Sequence, residues 1–241
     1  MFKGAIFDMD GLLIDSERAV MQAWIDAALD CGRILHPSDY VRVVGLAERE
    51  SNDILANLLG GREAFEAVAA RVTACLERSS GIYPIKNGVR ELLACLSHAR
   101  VPLAVASSSR RDEIEHRLMG VDILRHFQAY AGGDEVPCGK PDPAVYWLAA
   151  GRLGLPPEHC LAFEDSENGA RAALAAGMQV VLVPDLKVAA SAVSNRCLMN
   201  LSSLEQTVDI WQDWFELGIR GQAIGFLAAN IADQPKQSIV D

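Results

Sequence analysis

The sequence predicts an α/β protein: a doubly wound parallel sheet with an all-helical domain inserted after its first strand. Three observations carry this. From Val89 to Val183, short apolar runs alternate with helical stretches of about ten residues, the rhythm of β-α-β units and a parallel sheet. One further apolar run, Lys3 to Phe7, stands alone at the N-terminus. Between that run and the alternating part, the chain shows helical periodicity and few turn signals.

In chain order, Lys3 to Phe7 reads as a buried strand ending at Asp8. Asp15 or Ser16 can cap the helix that follows, which carries Trp24, Ala27 and Ala28 on one face. Ile54, Leu55, Leu58 and Leu59 recur at helical spacing, as do Ala67, Val68, Val72, Cys75 and Leu76, with Gly60-Gly61 between the two sets. Ser79-Ser80-Gly81 and Pro84 read as a linker. Beyond it the expected elements are a helix over 89–99, a strand over 101–106, a helix over 112–119 and a strand over 129–132. A helix over 143–153, a strand over 160–163, a helix over 169–176 and a strand over 180–183 complete the alternation. The expected domains are a core of residues 1–15 and 85–201, a helical cap of 16–84 and a C-terminal extension of 202–241. In that extension Ile210, Trp211, Trp214 and Phe215 suit one helical face, a second apolar stretch runs from Ile224 to Ile231, and the last residues, 233–241, are polar.

Length and composition bound the function. At 241 residues the chain is long enough for one or two domains and a core without disulfide staples. Half of its residues are hydrophobic, which excludes disorder as its main state. No apolar run reaches the roughly 18–20 residues of a bilayer-spanning helix. The net charge of −10 argues against nucleic acid or an anionic membrane as partner, yet leaves room for a small anionic substrate. The six cysteines are scattered and form no metal-binding pair, so they read as buried free thiols in a reducing cytoplasm. The expected state is a monomer or weak homodimer.

Four motifs carry chemistry, each at a predicted strand end, where open α/β sheets bind their ligands. In Phe7-Asp8-Met9-Asp10-Gly11 two acids flank one residue, so both can face one side of an extended chain. A carboxylate can attack phosphorus, and a neighbouring acid can carry the proton. Ser107-Ser108-Ser109 offers hydroxyls and free backbone N–H groups to a phosphate. In Gly139-Lys140-Pro141-Asp142-Pro143 two prolines fix the backbone around a lysine that can neutralise a carboxylate and a phosphoryl oxygen together. Glu164-Asp165 suits a hard cation with oxygen ligands, such as Mg²⁺. Singly, each motif also reads as a turn or a helix cap, and for the paired acids of 8–10 and the serine run that is the leading reading. Jointly they describe phosphoryl transfer, in which Asp8 attacks while Lys140 and Ser107 hold oxygens.

At these residues the chain resembles the haloacid dehalogenase superfamily of phosphohydrolases, in the branch with a helical cap after the first strand of a Rossmann-like core. FDMDGLLIDS (7–16), VASSS (105–109), GKPDP (139–143) and FEDSENG (163–169) resemble its four motifs in order and spacing. The resemblance implies that Asp8 is the nucleophile and Asp10 the general acid/base, with Ser107, Ser108 and Lys140 on the phosphoryl group. It also implies Mg²⁺ held by the side chains of Asp8 and Asp165 and the backbone carbonyl of Asp10, with Glu164 binding directly or through water. The substrate would be a small phosphorylated metabolite, of sugar or nucleoside monophosphate type. The related β-phosphoglucomutases carry an early cap histidine, where this chain has Val20, and a cap arginine, near which it reads Gly45-Leu46-Ala47-Glu48-Arg49. Hydrolysis is therefore the leading expectation and a phosphosugar mutase the second. A non-catalytic scaffold would lack an acid or the lysine, and all are present. Arg49 and Arg78 are candidate cap contacts or solvated surface arginines.

Overall fold

The fold was analysed from a computed structural model that describes residues 1–44, 48–78 and 81–215, the side chain of Glu48 excepted. Six parallel strands form one sheet in the order β3-β2-β1-β4-β5-β6. They are β1 (Gly4–Phe7), β2 (Leu103–Ala106), β3 (Ala129–Ala131), β4 (Cys160–Glu164), β5 (Gln179–Leu182) and β6 (Met199–Asn200). Register aligns Phe7 with both Val105 and Phe163, so three strand ends open side by side. The chain winds outward through β2 and β3, then restarts on the other side of β1 at β4. The reversal of strand order makes a crevice there, at the carboxyl ends of β1 and β4.

Both faces of the sheet are covered, which is why its central strands are apolar without alternation. Side chains at period two divide between the faces. Phe7, Val105, Phe163 and Val181 join one apolar cluster, and Ile6, Ala104, Ala162 and Val180 join the other. The first cluster is closed by α5 (Val89–His98) and α6 (Arg111–Gly120), the second by α7 (Ala144–Leu153) and α8 (Glu167–Ala175). On the first face Phe7 stacks on Phe163 with ring centroids 4.5 Å apart.

Among the described residues between β1 and α5 lie four helices: α1 (Ser16–Asp30), α2 (Pro37–Tyr40), α3 (Glu48–Leu59) and α4 (Arg62–Arg78). They enclose an apolar cluster of their own, with Ala28, Leu59 and Val68 at its centre. Trp24 packs against this cluster and stacks on Phe65, and Val20 is turned to it as well. The two connections to the sheet run antiparallel. Ile14 bridges Ile85, the Asp15 N–H donates to the Pro84 carbonyl, and the Lys86 N–H donates to the Leu13 carbonyl. Arg18 and Lys86 both pair with the buried Asp185 carboxylate, at 2.8 and 2.5 Å.

Several expectations change. Asp15 stands at the N-cap of α1 without a capping hydrogen bond. Its carboxylate lies by Arg18 and Lys86 instead, and the Ser16 hydroxyl goes to Asp10. Ile210, Trp211, Trp214 and Phe215 do not form one helical face: a 3₁₀ turn spans Trp211–Asp213, and its aromatic neighbours belong to the core. Phe2 pairs with Phe215 beside β1 and donates its N–H to the Trp214 carbonyl. All six cysteines are free, but only Cys160 is buried, while Cys75 and Cys138 are exposed. The readings at Gly45-Leu46-Ala47 and beyond Phe215 lie outside the described residues. No described helix is long and apolar enough to cross a membrane.

Candidate active site

The crevice gathers what the sequence scattered. Asp8 follows β1, its N–H donating to the Phe163 carbonyl of β4. Ser107 follows β2, its N–H donating to the Ala131 carbonyl of β3. Each residue thus continues the parallel ladder by one step and is fixed by the sheet before its side chain does anything. A cavity of about 230 Å³ is lined, among the described residues, by Asp8, Asp10, Ser107, Ser108, Lys140 and Asp165, and by Glu17, Val44, Ser166 and Asn168. Every residue expected to act lines that wall except Glu164, which lies behind it.

Lys140 is the hub. Its ammonium donates to Asp8 Oδ1 at 2.5 Å, to Glu164 Oε1 at 2.6 Å and to the Ala106 carbonyl at 3.0 Å, and it stands 5.0 Å from the centroid of the Tyr146 ring. Burial would depress this ammonium, but the carboxylates of Asp8 and Glu164 outweigh it and raise it above the ordinary lysine range. Asp8 is 6% exposed. Burial raises its acid to about 8 against the pull of Lys140, and Glu164 and Asp10 push in the same direction as burial. Asp165 is raised too, by burial first and then by Asp8 and Glu164.

Glu164 is fully buried, and both of its oxygens are engaged. Oε1 accepts from Lys140 and, at 2.7 Å, from the Tyr146 hydroxyl. Oε2 accepts from the backbone N–H groups of Asp165 and Ser166 and from the Ser166 hydroxyl, at 3.0–3.1 Å. The carboxylate fits beneath α8 because residue 169 is glycine, where a Cβ would stand 1.7 Å from Glu164 Oε1. Gly11 serves Asp165 in the same way. It has φ +81°, and a Cβ there would come within 2.2 Å of Asp165 Oδ2. Ser166 caps α8 by accepting from the Gly169 N–H.

The donor set fits a hard divalent cation. Oxygens of Asp8, Glu164 and Asp165 lie within 4.8 Å of one another, and all three are carboxylates.

Asp10 is held by a different set of partners. Ser16 and Arg117 donate to its Oδ1 at 2.7 and 2.9 Å, and Ser109 donates to its Oδ2 at 2.8 Å. Arg117 also reaches Ser109 and Glu113 and lies 5.5 Å from the centroid of the Tyr83 ring. Ser107 Oγ accepts from the Ser109 N–H at 3.0 Å, which leaves its own proton available to the cavity. Ser108 is exposed on the cavity rim.

Arg117, Tyr146 and Glu17 were not visible as site residues in the sequence. Arg117 sits in the strongly charged helix Arg111–Gly120, where one arginine has no distinguishing mark. Tyr146 carried a faint signal, as a hydroxyl in the apolar run Ala144-Val145-Tyr146-Trp147. Arg49 and Arg78 are exposed and line neither the active-site cavity nor its neighbour beside Leu186.

Comparisons with known proteins identify the family. The family model for haloacid dehalogenase-like hydrolases matches residues 2–177. A phosphorylated carbohydrates phosphatase of Thermotoga maritima is 35% identical over 178 residues, covering 73% of this chain and 82% of that protein. A probable pseudouridine-5′-phosphatase of Drosophila melanogaster is 34% identical over 200 residues, covering 79% of this chain and 85% of that one. Among solved structures, a hydrolase of the same family from Deinococcus radiodurans, with bound phosphate and sodium, is 25% identical with a TM-score of 0.74, covering 90% of this chain and 99% of that one. The match runs from the residues before β1 past the end of α8 and takes in all four motifs of the crevice, so this chain belongs to the haloacid dehalogenase-like hydrolases.

Proposed function

We propose that the protein is a Mg²⁺-dependent phosphatase that hydrolyses a small phosphorylated metabolite, of sugar or nucleoside monophosphate type, through an aspartyl-phosphate. One observation carries this reading: Asp8 lies in a cavity wall with Lys140 2.5 Å from its carboxylate and two further buried carboxylates within 4.8 Å. A carboxylate needed only for stability has no reason to share a cavity with a buried ammonium and a second acid.

Asp8 attacks phosphorus, so an oxygen–phosphorus bond forms as the bond to the leaving oxygen breaks. Asp10 gives the leaving oxygen its proton, then takes one from water as that water attacks the aspartyl-phosphate and frees Asp8. Lys140 and the Ser107 hydroxyl hold phosphoryl oxygens, with Ser108 at the rim. Asp8 and Asp165, with the Asp10 backbone carbonyl, would hold Mg²⁺, and Glu164 supports them by holding Lys140. When bound, the ion supplies positive charge that keeps these carboxylates ionised and draws charge from the phosphoryl oxygens. Arg117, Ser16 and Ser109 fix the direction of Asp10. The inserted helices act as a cap that covers the cleft and excludes water. Val20 packs into the cap core, which favours hydrolysis over a mutase using a cap histidine at that place.

The test is phosphate release from a panel of phosphorylated sugars, sugar alcohols and nucleosides with Mg²⁺, beside Asp8→Asn. Release from related members, lost in the variant and in EDTA and restored by Mg²⁺, is the expected result. Turnover that survives Asp8→Asn would sink the covalent route. No release, with a sugar bisphosphate accumulating instead, would establish the mutase.

A further inference from the structure

Every proton on the Lys140 ammonium already has an acceptor. An ammonium carries three, and they go to Asp8 Oδ1 at 2.5 Å, to Glu164 Oε1 at 2.6 Å and to the Ala106 carbonyl at 3.0 Å. This lysine can therefore hold a phosphoryl oxygen only by giving up one of the three. Among the described residues, Glu164 Oε1 is the one of these acceptors that a second side chain also serves: the Tyr146 hydroxyl donates to it at 2.7 Å.

We propose that Tyr146 is a positioning residue for phosphoryl transfer: its hydroxyl keeps Glu164 Oε1 satisfied while Lys140 releases that oxygen and turns its N–H to the phosphoryl group. The inference rests on the phosphatase reading and adds to it the exchange by which the lysine comes free.

Three observations support it. The hydroxyl is surplus to the empty site: Glu164 Oε2 already accepts from the Asp165 and Ser166 N–H groups and the Ser166 hydroxyl, and Oε1 already has Lys140. Its use lies in the state that Lys140 has left, where Oε1 would otherwise be a fully buried carboxylate oxygen with no donor, a costly condition for a charged group. The hydroxyl is also placed at a cost. Tyr146 is fully buried on α7, whose other buried residues are Val145, Ala149 and Ala150, and a phenylalanine would fill the same space with no polar atom to desolvate. Finally, the ring of the same residue has its centroid 5.0 Å from the ammonium, so its face continues to attract the lysine while the bond to Glu164 is exchanged.

Calorimetry tests this by measuring the Kd of inorganic phosphate with Mg²⁺ for the parent protein, Tyr146→Phe and Ser97→Ala, beside kcat/KM for a phosphorylated substrate. Ser97→Ala removes a hydrogen bond of 2.8 Å to His126 at the end of β2 away from the crevice, and so controls for lost stability alone. Tyr146→Phe keeps the ring and is expected to weaken phosphate about 10–100-fold and to lower kcat/KM by a similar factor, with Mg²⁺ binding in the absence of phosphate kept within about 3-fold. Ser97→Ala should leave all three in place. A Tyr146→Phe protein that melts lower yet binds phosphate within about 2-fold of the parent would overturn the proposal, since the hydroxyl would then serve stability only. So would a loss of Mg²⁺ affinity as large as the loss of phosphate. The parent crystallised with Mg²⁺ and phosphate decides the question even if the variant does not fold. Lys140 should stand on a phosphate oxygen and off Glu164 Oε1, with the Tyr146 hydroxyl still on Oε1, and a lysine that keeps Glu164 and gives up Asp8 or Ala106 would overturn the proposal. A parent that binds phosphate but releases none from any phosphorylated substrate would overturn the phosphatase reading, while the phosphate measurements still decide the exchange. A parent that does neither would overturn both.

Discussion

Replacing Glu164 by glutamine keeps the shape of the side chain and removes its charge. Five donors converge on this carboxylate: Lys140, the Tyr146 hydroxyl, two backbone N–H groups and the Ser166 hydroxyl. A glutamine amide has only one acceptor oxygen. If that oxygen serves Lys140 and Tyr146, the NH₂ faces the two backbone N–H groups, and the reverse placement sets it against the ammonium. Breaking a buried pair by removing one partner costs about 3–5 kcal/mol. Lys140 retains Asp8 at 2.5 Å, which places the loss toward the lower end of that range. For a chain of this size each kcal/mol lowers Tm by roughly 2–4 °C, so Glu164→Gln should melt about 6–12 °C below the parent. Thermal unfolding followed by circular dichroism in EDTA, with no divalent cation to complicate it, measures this directly. Tyr146→Phe removes one of the five donors and should cost about 1.5 kcal/mol, the value of a hydrogen bond to a charged acceptor. A Glu164→Gln variant that melts within about 2 °C of the parent in EDTA, but no longer gains stability from Mg²⁺, would refute the reasoning. Glu164 would then be a metal ligand and not the group that holds the lysine.

Arg117→Ala leaves Asp10 held by Ser16 and Ser109 alone and should lower kcat roughly 10–100-fold with KM within about 3-fold, while Arg117→Lys recovers part of the loss. Steady-state kinetics check this, and a change confined to KM would contradict it. The hydrogen bonds from Arg152 lower the Glu135 acid to about 2 against the effect of burial, with the Gly132 N–H and Arg111 adding to the lowering. A depressed acid stabilises the fold above its unfolded value, near 4.5, and loses that contribution as pH falls toward 2. Glu135→Gln should therefore cost about 1 kcal/mol at pH 7, discounted for solvent screening, and in urea titrations the gap should narrow below about pH 4.5 and close as pH reaches about 2. Trp214→Ala should cost about 3–5 kcal/mol, because its ring packs at 6.0 Å from Phe163 within the sheet's own core. A loss under 1 kcal/mol would show that the segment after β6 is dispensable.

Much of the fold was legible because the central strands are buried on both faces and end abruptly at polar residues. Phe7-Asp8, Ala106-Ser107 and Phe163-Glu164-Asp165 each show that edge in the sequence, and the parallel winding then brings the edges together. Strand β6 shows no such edge. Met199–Asn200 is two residues long and only partly covered, so no apolar run announces it. The spacing of Ile210, Trp211, Trp214 and Phe215 matches a helix, yet the chain turns more tightly to set these side chains against Phe2 and Phe163. Tertiary packing overrides periodicity in so short a segment. Asp15 looked like a cap for α1 on local grounds, but the nearby arginine and lysine compete for it. Arg117 reaches Asp10 across 107 residues of chain, a contact made only because β2, which α6 follows, pairs in parallel with β1.

The paired connections at Ile14 and Ile85 have a consequence for how such a chain can change. Because they hydrogen-bond to each other, the inserted helices leave and rejoin the sheet at nearly one point. The insertion is a cassette on a single stem, with its own apolar centre, and no strand register depends on what it contains. Chimeras that exchange residues 17–84 with those of a relative, keeping the Ser16 that holds Asp10, should keep the chemistry of the crevice while replacing most of what surrounds the departing group. Leu186 to Ala189 would stay behind with the sheet, so the cavity beside the crevice would keep that part of the host's wall.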